Sequence, residues 1–151
     1  MPITEKRHCV SAGGILFRNR DGSVDIVVVK RHRKVEPKWA PVLCQLPKGG
    51  LHANEGLEQG ALREVLEETG YEAEIRGPAG VASWSYQRAD TDWTETVHYF
   101  LMTTLSSVPH CHDDEFDEVC WLSLDEAVRA LSYPEERTLL VSLQRDAFGH
   151  S

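Results

Sequence analysis

The chain has 151 residues, 41% of them hydrophobic, and no composition shift marks a second unit, so a single domain over 1–151 with a buried core is expected. Sixteen Lys and Arg against 24 Asp and Glu leave a formal charge of -8, a field that repels phosphate polymers and acidic membranes and argues against nonspecific binding of either. The start, Met-Pro-Ile-Thr-Glu-Lys-Arg-His, has no apolar core for a signal peptide, no run approaches membrane-spanning length, and Cys9, Cys44, Cys111 and Cys120 form no Cys-x-x-Cys pair, so a cytoplasmic protein with reduced thiols is expected.

In chain order, residues 9–18 read as a strand with small residues and 24–30 as a β-branched strand, paired through a hairpin at Asp21-Gly22. Residues 32–44, with Pro37 and Pro41, read as a loop leading to Gln45-Leu46-Pro47. A helix is predicted over 55–69, with Asn54 as its cap, Glu55 at its positive end and Gly70 as a left-handed stop. At 100° per residue, Ala61, Leu62, Val65, Leu66 and Thr69 share a packing arc beside an arc of Glu64, Glu67 and Glu68. Residues 72–87 and 93–104 read as strands around a turn at Ala89-Asp90-Thr91-Asp92, 118–122 as a shorter strand, and 124–131 and 134–148 as helices with Ser123 and Ser132 as caps. The mix predicts an α/β fold with a mixed sheet between helical layers.

The chemistry concentrates in residues 49–71. Glu64, Glu67 and Glu68 sit on one short helix directly after a glycine loop, close enough to repel and to raise one another's pKa. A hard divalent cation resolves that conflict, because magnesium takes a few carboxylates and keeps positions open for water and phosphate oxygens. A solvated acidic face is the plainer reading, and the spacing weighs against it. His110-Cys111-His112 is three adjacent metal-capable residues without a distant matching pair, and it reads as a solvated loop rather than a zinc site.

Gly49, then Glu55, then Arg63-Glu64-Val65-Leu66-Glu67-Glu68-Thr69-Gly70-Tyr71 resembles the signature of the Nudix hydrolases, with every charged and glycine position in register. Tyr71 departs, standing where that family usually has an aliphatic residue. The resemblance implies an α/β/α sandwich and hydrolysis of a pyrophosphate linkage with Mg2+ or Mn2+. It also implies Glu64, Glu67 and Glu68 as metal ligands together with the Gly49 carbonyl, and Glu55 paired with Arg63 to brace loop against helix. A further carboxylate outside the helix acts as base or ligand in such enzymes. The candidate stretch is Asp113-Asp114-Glu115-Phe116-Asp117-Glu118, with a solvated charge run as the plainer reading; Glu115, six residues before Trp121, stands where related sequences place that glutamate and is preferred to Glu118, so Glu64, Glu67 and Glu115 form the expected catalytic set.

Substrate contacts are less sharply marked. Lys48 beside the glycine loop and Arg31 in the run Lys30-Arg31-His32-Arg33-Lys34 are candidate phosphate contacts or solvated loop cations. Trp84 and Tyr86, on one face of a strand, are candidate platforms for a base or simply core. Leu-Pro-Lys-Gly before the box, Val97-His98-Tyr99-Phe100-Leu101-Met102 and Tyr133-Pro134-Glu135-Glu136 look like the diadenosine polyphosphate hydrolase branch. That likeness implies a dinucleoside polyphosphate cleaved asymmetrically by water. The alternatives are a nucleoside triphosphate pyrophosphatase, including one for oxidised nucleotides, an enzyme for diphosphoinositol phosphates or a capped RNA end, and a noncatalytic nucleotide-binding module.

Overall fold

The computed structural model describes residues 5–31, 43–146 and 148, so His32, Arg33 and Lys34 of the basic run and the predicted loop up to residue 42 lie outside the described residues. Within them run β1 (Glu5–Arg20), β2 (Ser23–Arg31), β3 (Leu43–Gln45), β4 (Lys48–Gly50), α1 (Leu57–Thr69), β5 (Ala73–Arg88), β6 (Thr91–Thr104), β7 (Glu118–Ser123), α2 (Leu124–Ala130) and α3 (Pro134–Asp146). The strands form one sheet in the order β3-β2-β1-β6-β5, with β4 beside β1 and β7 beside β2. Its long central pairing, from Glu5 opposite Thr91 to Leu16 opposite Met102, is parallel, and the other pairings are antiparallel, which makes the sheet mixed.

The β1–β2 turn forms where expected. Asp21 and Gly22 both take positive φ, 51° and 84°, the backbone a two-residue hairpin with right-twisted strands requires. Alternation along the strands then builds two cores. Ile15, Ile26, Val28 and Tyr99 pack with Leu124, Ala127, Leu139 and Leu140 of α2 and α3. Ala12, Leu16, Val27 and Met102 pack on the opposite face with Ala61 and Val65 of α1. The sheet is therefore sandwiched between helical layers, as the binary pattern predicts. Among the described residues no helix is long and apolar enough to cross a membrane.

Several predicted boundaries move. The catalytic-box helix starts at Leu57 behind Gly56, whose position lacks a side-chain cap, while Asn54 sits at φ 64° in the preceding turn and Glu55 lies outside the helix. Glu55 is drawn off by Arg63 and by the His52 N–H, to which its carboxylate binds at 2.7 and 2.9 Å. Leu66, predicted to pack, is exposed, whereas Glu68 is buried, because the acidic side of α1 is the side that turns under the glycine loop. Ser123 caps α2 in a full capping box with Glu126. Ser132 does not cap α3: its hydroxyl accepts from the Cys44 N–H at 2.9 Å and its N–H donates to the Cys44 carbonyl, stitching β3 to the helical layer. Residues 43–45, read as loop and approach, are the strand β3, since β2 offers Val29 to Arg31 as an open edge. The β5–β6 turn tightens to Ala89 and Asp90, and α3 stops at Asp146, with the Phe148 ring packed 5.3 Å from that of Phe17.

Candidate active site

Three elements converge at the acidic side of α1. Strand β4 presents Gly49 directly against the Glu64 carboxylate. A Cβ added at Gly49 would meet the Glu64 carboxyl atoms at 2.2 Å, so only glycine lets loop and carboxylate approach this closely. The neighbouring Lys48 N–H donates to Glu68 Oε1 at 3.1 Å, pinning the strand to the helix one residue away. The segment after β6 closes the third side. It is tied to the C-terminal end of α1 by the Asp113 N–H on the Glu67 carbonyl and the His110 N–H on the Gly70 carbonyl, both at 2.7 Å. Gly70, at φ 81°, ends the helix in the left-handed cap its position predicts and leaves no room for a side chain under His110.

That segment carries Glu115 to Glu68. The two carboxyls interact, as do those of Glu68 and Glu64, so three carboxyls from two distant parts of the chain neighbour one another. Burial and the neighbouring charges of Glu115 and Glu64 push Glu68 up to about 10, and burial raises Glu64 as well. Glu67 stands at the rim with its side chain 40% exposed.

Arg63 organises the outer edge. Its guanidinium donates to Glu55 at 2.7 and 2.9 Å, to Glu64 at 2.8 Å, to Glu67 at 3.0 Å and to the Gly50 carbonyl at 2.8 Å. The Arg63 hydrogen bonds hold the Glu55 carboxyl down at about 2. The planar fork of arginine suits this role, in which one cation joins loop, helix and three acidic side chains.

The group's chemistry fits a hard divalent cation: oxygen donors, mutual repulsion between neighbouring carboxyls, and a glycine that admits no side chain beside them. Among the described residues no three His, Cys, Asp or Glu side chains converge closely enough to hold a metal ion, and the Arg63 guanidinium binds both Glu64 and Glu67. His110 and His112 are occupied elsewhere, Nε2 of His110 with Glu72 at 2.8 Å and Nδ1 of His112 with the Asp113 carbonyl at 2.6 Å, and Cys111 is free and exposed.

Both cations singled out as phosphate contacts are already paired. Arg31 donates to the Glu115 carbonyl at 3.1 Å and faces its carboxylate at 3.4 Å. The Lys48 ammonium lies 3.2 Å from both oxygens of Glu95, a residue the sequence reading did not single out. No local pattern marks Glu95: a glutamate on a strand gains meaning only from a lysine 47 positions away. Trp84 lies half-buried, stacked on Tyr133 at 5.5 Å and 4°, with the Lys48 ammonium 5.0 Å from its ring centre. Tyr86 shares its face but is exposed and stacks on Trp93 at 6.4 Å and 9°, so the two rings differ in burial although alternation groups them.

Comparison with known proteins agrees with this geometry. The NUDIX domain family matches residues 7–143. MutT4 of Mycobacterium tuberculosis is 33% identical over 132 residues, covering 87% of this chain and 53% of its own. An 8-oxo-(d)GTP phosphatase of Mycolicibacterium smegmatis is 30% identical over 148 residues, covering 91% and 42%. The chain thus spans about half the length of the curated relatives it matches. A solved Ap4A hydrolase of C. elegans shares the fold with a TM-score of 0.70 at 20% identity, over 89% of this chain and 94% of that one. With the box in register, the carboxylates gathered around Gly49 and the match spanning nearly the whole sequence, the chain belongs to the NUDIX domain family.

Proposed function

We propose that the chain is a divalent-cation-dependent pyrophosphohydrolase of nucleoside polyphosphates, taking a dinucleoside polyphosphate of the diadenosine type. The observation that carries the hydrolase reading is the contiguous group of Glu64, Glu68 and Glu115 against Gly49, because that donor set meets the needs of phosphoryl transfer and serves no packing purpose. Glu64, Glu67, Glu68 and Gly49 would hold Mg2+ or Mn2+. When bound, such ions neutralise phosphate oxygens and acidify a water. Glu67 and Glu115, the more exposed carboxylates, take the proton of the attacking water, and Glu55 with Arg63 keeps the loop at its height above the helix. Arg31 and Lys48 face the phosphate chain, and Trp84 and Tyr86, each backed by a second ring, offer stacking surfaces for bases. Two ring pairs on one face suit a substrate with two bases.

A second substrate reading is favoured by the relatives, one of which is named an 8-oxo-(d)GTP phosphatase: a purine nucleoside triphosphate, oxidised or not. Turnover of dinucleoside polyphosphates, ordinary and oxidised nucleoside triphosphates and nucleotide sugars in 18O-labelled water separates them. The first reading expects ATP as one product of a diadenosine substrate. Preference for mononucleotides defeats that substrate while leaving the hydrolase reading intact, and binding without turnover of any of them defeats the hydrolase reading.

A further inference from the structure

Lys48 and Glu95 form an ion pair whose side chains are only 15% and 13% exposed. Glu95 is fixed on its other side by the Ser11 hydroxyl, which donates to Oε2 at 2.7 Å. Taking two charges out of water costs more than such a pair commonly returns, and an apolar pair of like volume would pack the sheet at least as well. The position of the pair is informative. The Lys48 backbone is bound to Glu68 in the acidic group, while its ammonium lies over Trp84, which stacks on Tyr133. The pair therefore stands at the junction between the phosphate end of the site and the aromatic end. There the lysine offers a positive charge and the glutamate cancels it.

We propose that Glu95 is a specificity-determining residue that sets the charge preference of the site: by neutralising Lys48, it limits how strongly affinity rises with each added phosphate. This rests on the nucleoside polyphosphate reading above. With Glu95 ionised, Lys48 can donate a hydrogen bond to a phosphate oxygen but contributes little net field, so the selective grip on the anionic chain falls to the cation-binding carboxylates. Without the negative charge, the same lysine adds one uncompensated positive charge in a poorly hydrated place, and its attraction grows with the number of phosphate charges nearby. Glu95→Gln keeps the shape and one acceptor oxygen, replaces the other oxygen with an NH2 group, and removes the charge. Lys48→Gln is its mirror, leaving Glu95 as an uncompensated anion.

The test is calorimetric titration of the wild type, Glu95→Gln, Lys48→Gln and the double variant, in Mg2+, with imidodiphosphate and imidotriphosphate, whose bridging nitrogens resist hydrolysis. Glu95→Gln is expected to bind the triphosphate about tenfold tighter and the diphosphate about threefold tighter, with both gains shrinking as salt is raised. Lys48→Gln is expected to lose affinity with the same grading, and the double variant to return near the wild type. Should one single variant fail to fold, the other reads the same grading with opposite sign. Equal changes for both probes, or a gain that persists in the double variant, overturn the proposal. Failure of the nucleotide reading shows separately, as a wild type that turns over no nucleoside polyphosphate, because these titrations need no turnover.

Discussion

At the scale of single residues, each carboxylate's surroundings divide the labour in the acidic group. Burial and the neighbouring Glu115 and Glu64 raise the pKa of Glu68, whereas Glu67 reaches solvent and accepts from Arg63. A water-deprotonating role suits the exposed group. Glu67→Gln is therefore expected to lower kcat by about 100-fold or more with little change in thermal midpoint, checked by steady-state kinetics beside a melting curve. Arg63→Lys, conservative in charge, is expected to fail in a different way. A lysine cannot hold Glu55, Glu64, Glu67 and the Gly50 carbonyl at once, so the loop loosens. The expected outcome is weaker metal binding, read as a raised Mg2+ concentration for half-maximal rate; an unchanged metal requirement counts against the bracing role. These residues were legible in the sequence because their spacing is local. Glu95 was not, since its partners Lys48 and Ser11 reach it only across the sheet.

At the scale of elements, α3 is tied to the metal-side loop by one buried carboxylate. Glu136 accepts from the Tyr99 hydroxyl at 2.5 Å and from the Leu46 N–H at 3.2 Å, three residues before Gly49. Burial pushes its carboxyl up to about 7, against the hydrogen bonds of Tyr99 and Leu46 and the charge of Lys48, which favour ionisation, and with Glu95, which opposes it. The folded state thus holds a proton that the unfolded chain has released near 4.5. The stabilising effect is complete below about 4.5 and is lost as pH rises through about 7, an amount on the order of 3 kcal/mol. In Glu136→Gln that slope disappears. Denaturant unfolding from acid to mildly alkaline pH is expected to show the wild type losing ground to the variant across this window; parallel curves would refute the burial argument. The cap at α2 gives a simpler expectation. Ser123→Ala removes the acceptor for the Glu126 N–H and costs about 1 kcal/mol, seen as a thermal midpoint lower by about 3 °C. The Ser123 cap was readable from Ser-x-x-Glu, while Asn54 and Ser132 were misread because each found a tertiary or turn role outside its helix.

For the whole molecule, the proposed cation, binding an acidic site in a chain of net charge -8, would stabilise the fold by mass action. Mg2+ at about 100 times its dissociation constant is expected to add roughly 2.7 kcal/mol, visible as a higher thermal midpoint that Glu64→Gln largely abolishes. A midpoint indifferent to Mg2+ would tell against a resident cation. The sequence by itself determined the family, the helix of the box, the hairpin and the sandwich of helices on a mixed sheet, because periodicity, capping residues and the spacing of the box act over a few residues or one helical turn. Tertiary structure decided the partners of these polar groups, since Lys48 meets Glu95, Arg31 meets Glu115 and the Ser132 hydroxyl meets β3 only after segments far apart in the chain come together. It also decided how the acidic side of α1 is placed: Ala61, Val65 and Thr69 are buried as the periodicity predicts, while Glu68 is buried beside them and Glu64 lies against Gly49, a contact no hydrophobic pattern along the helix records.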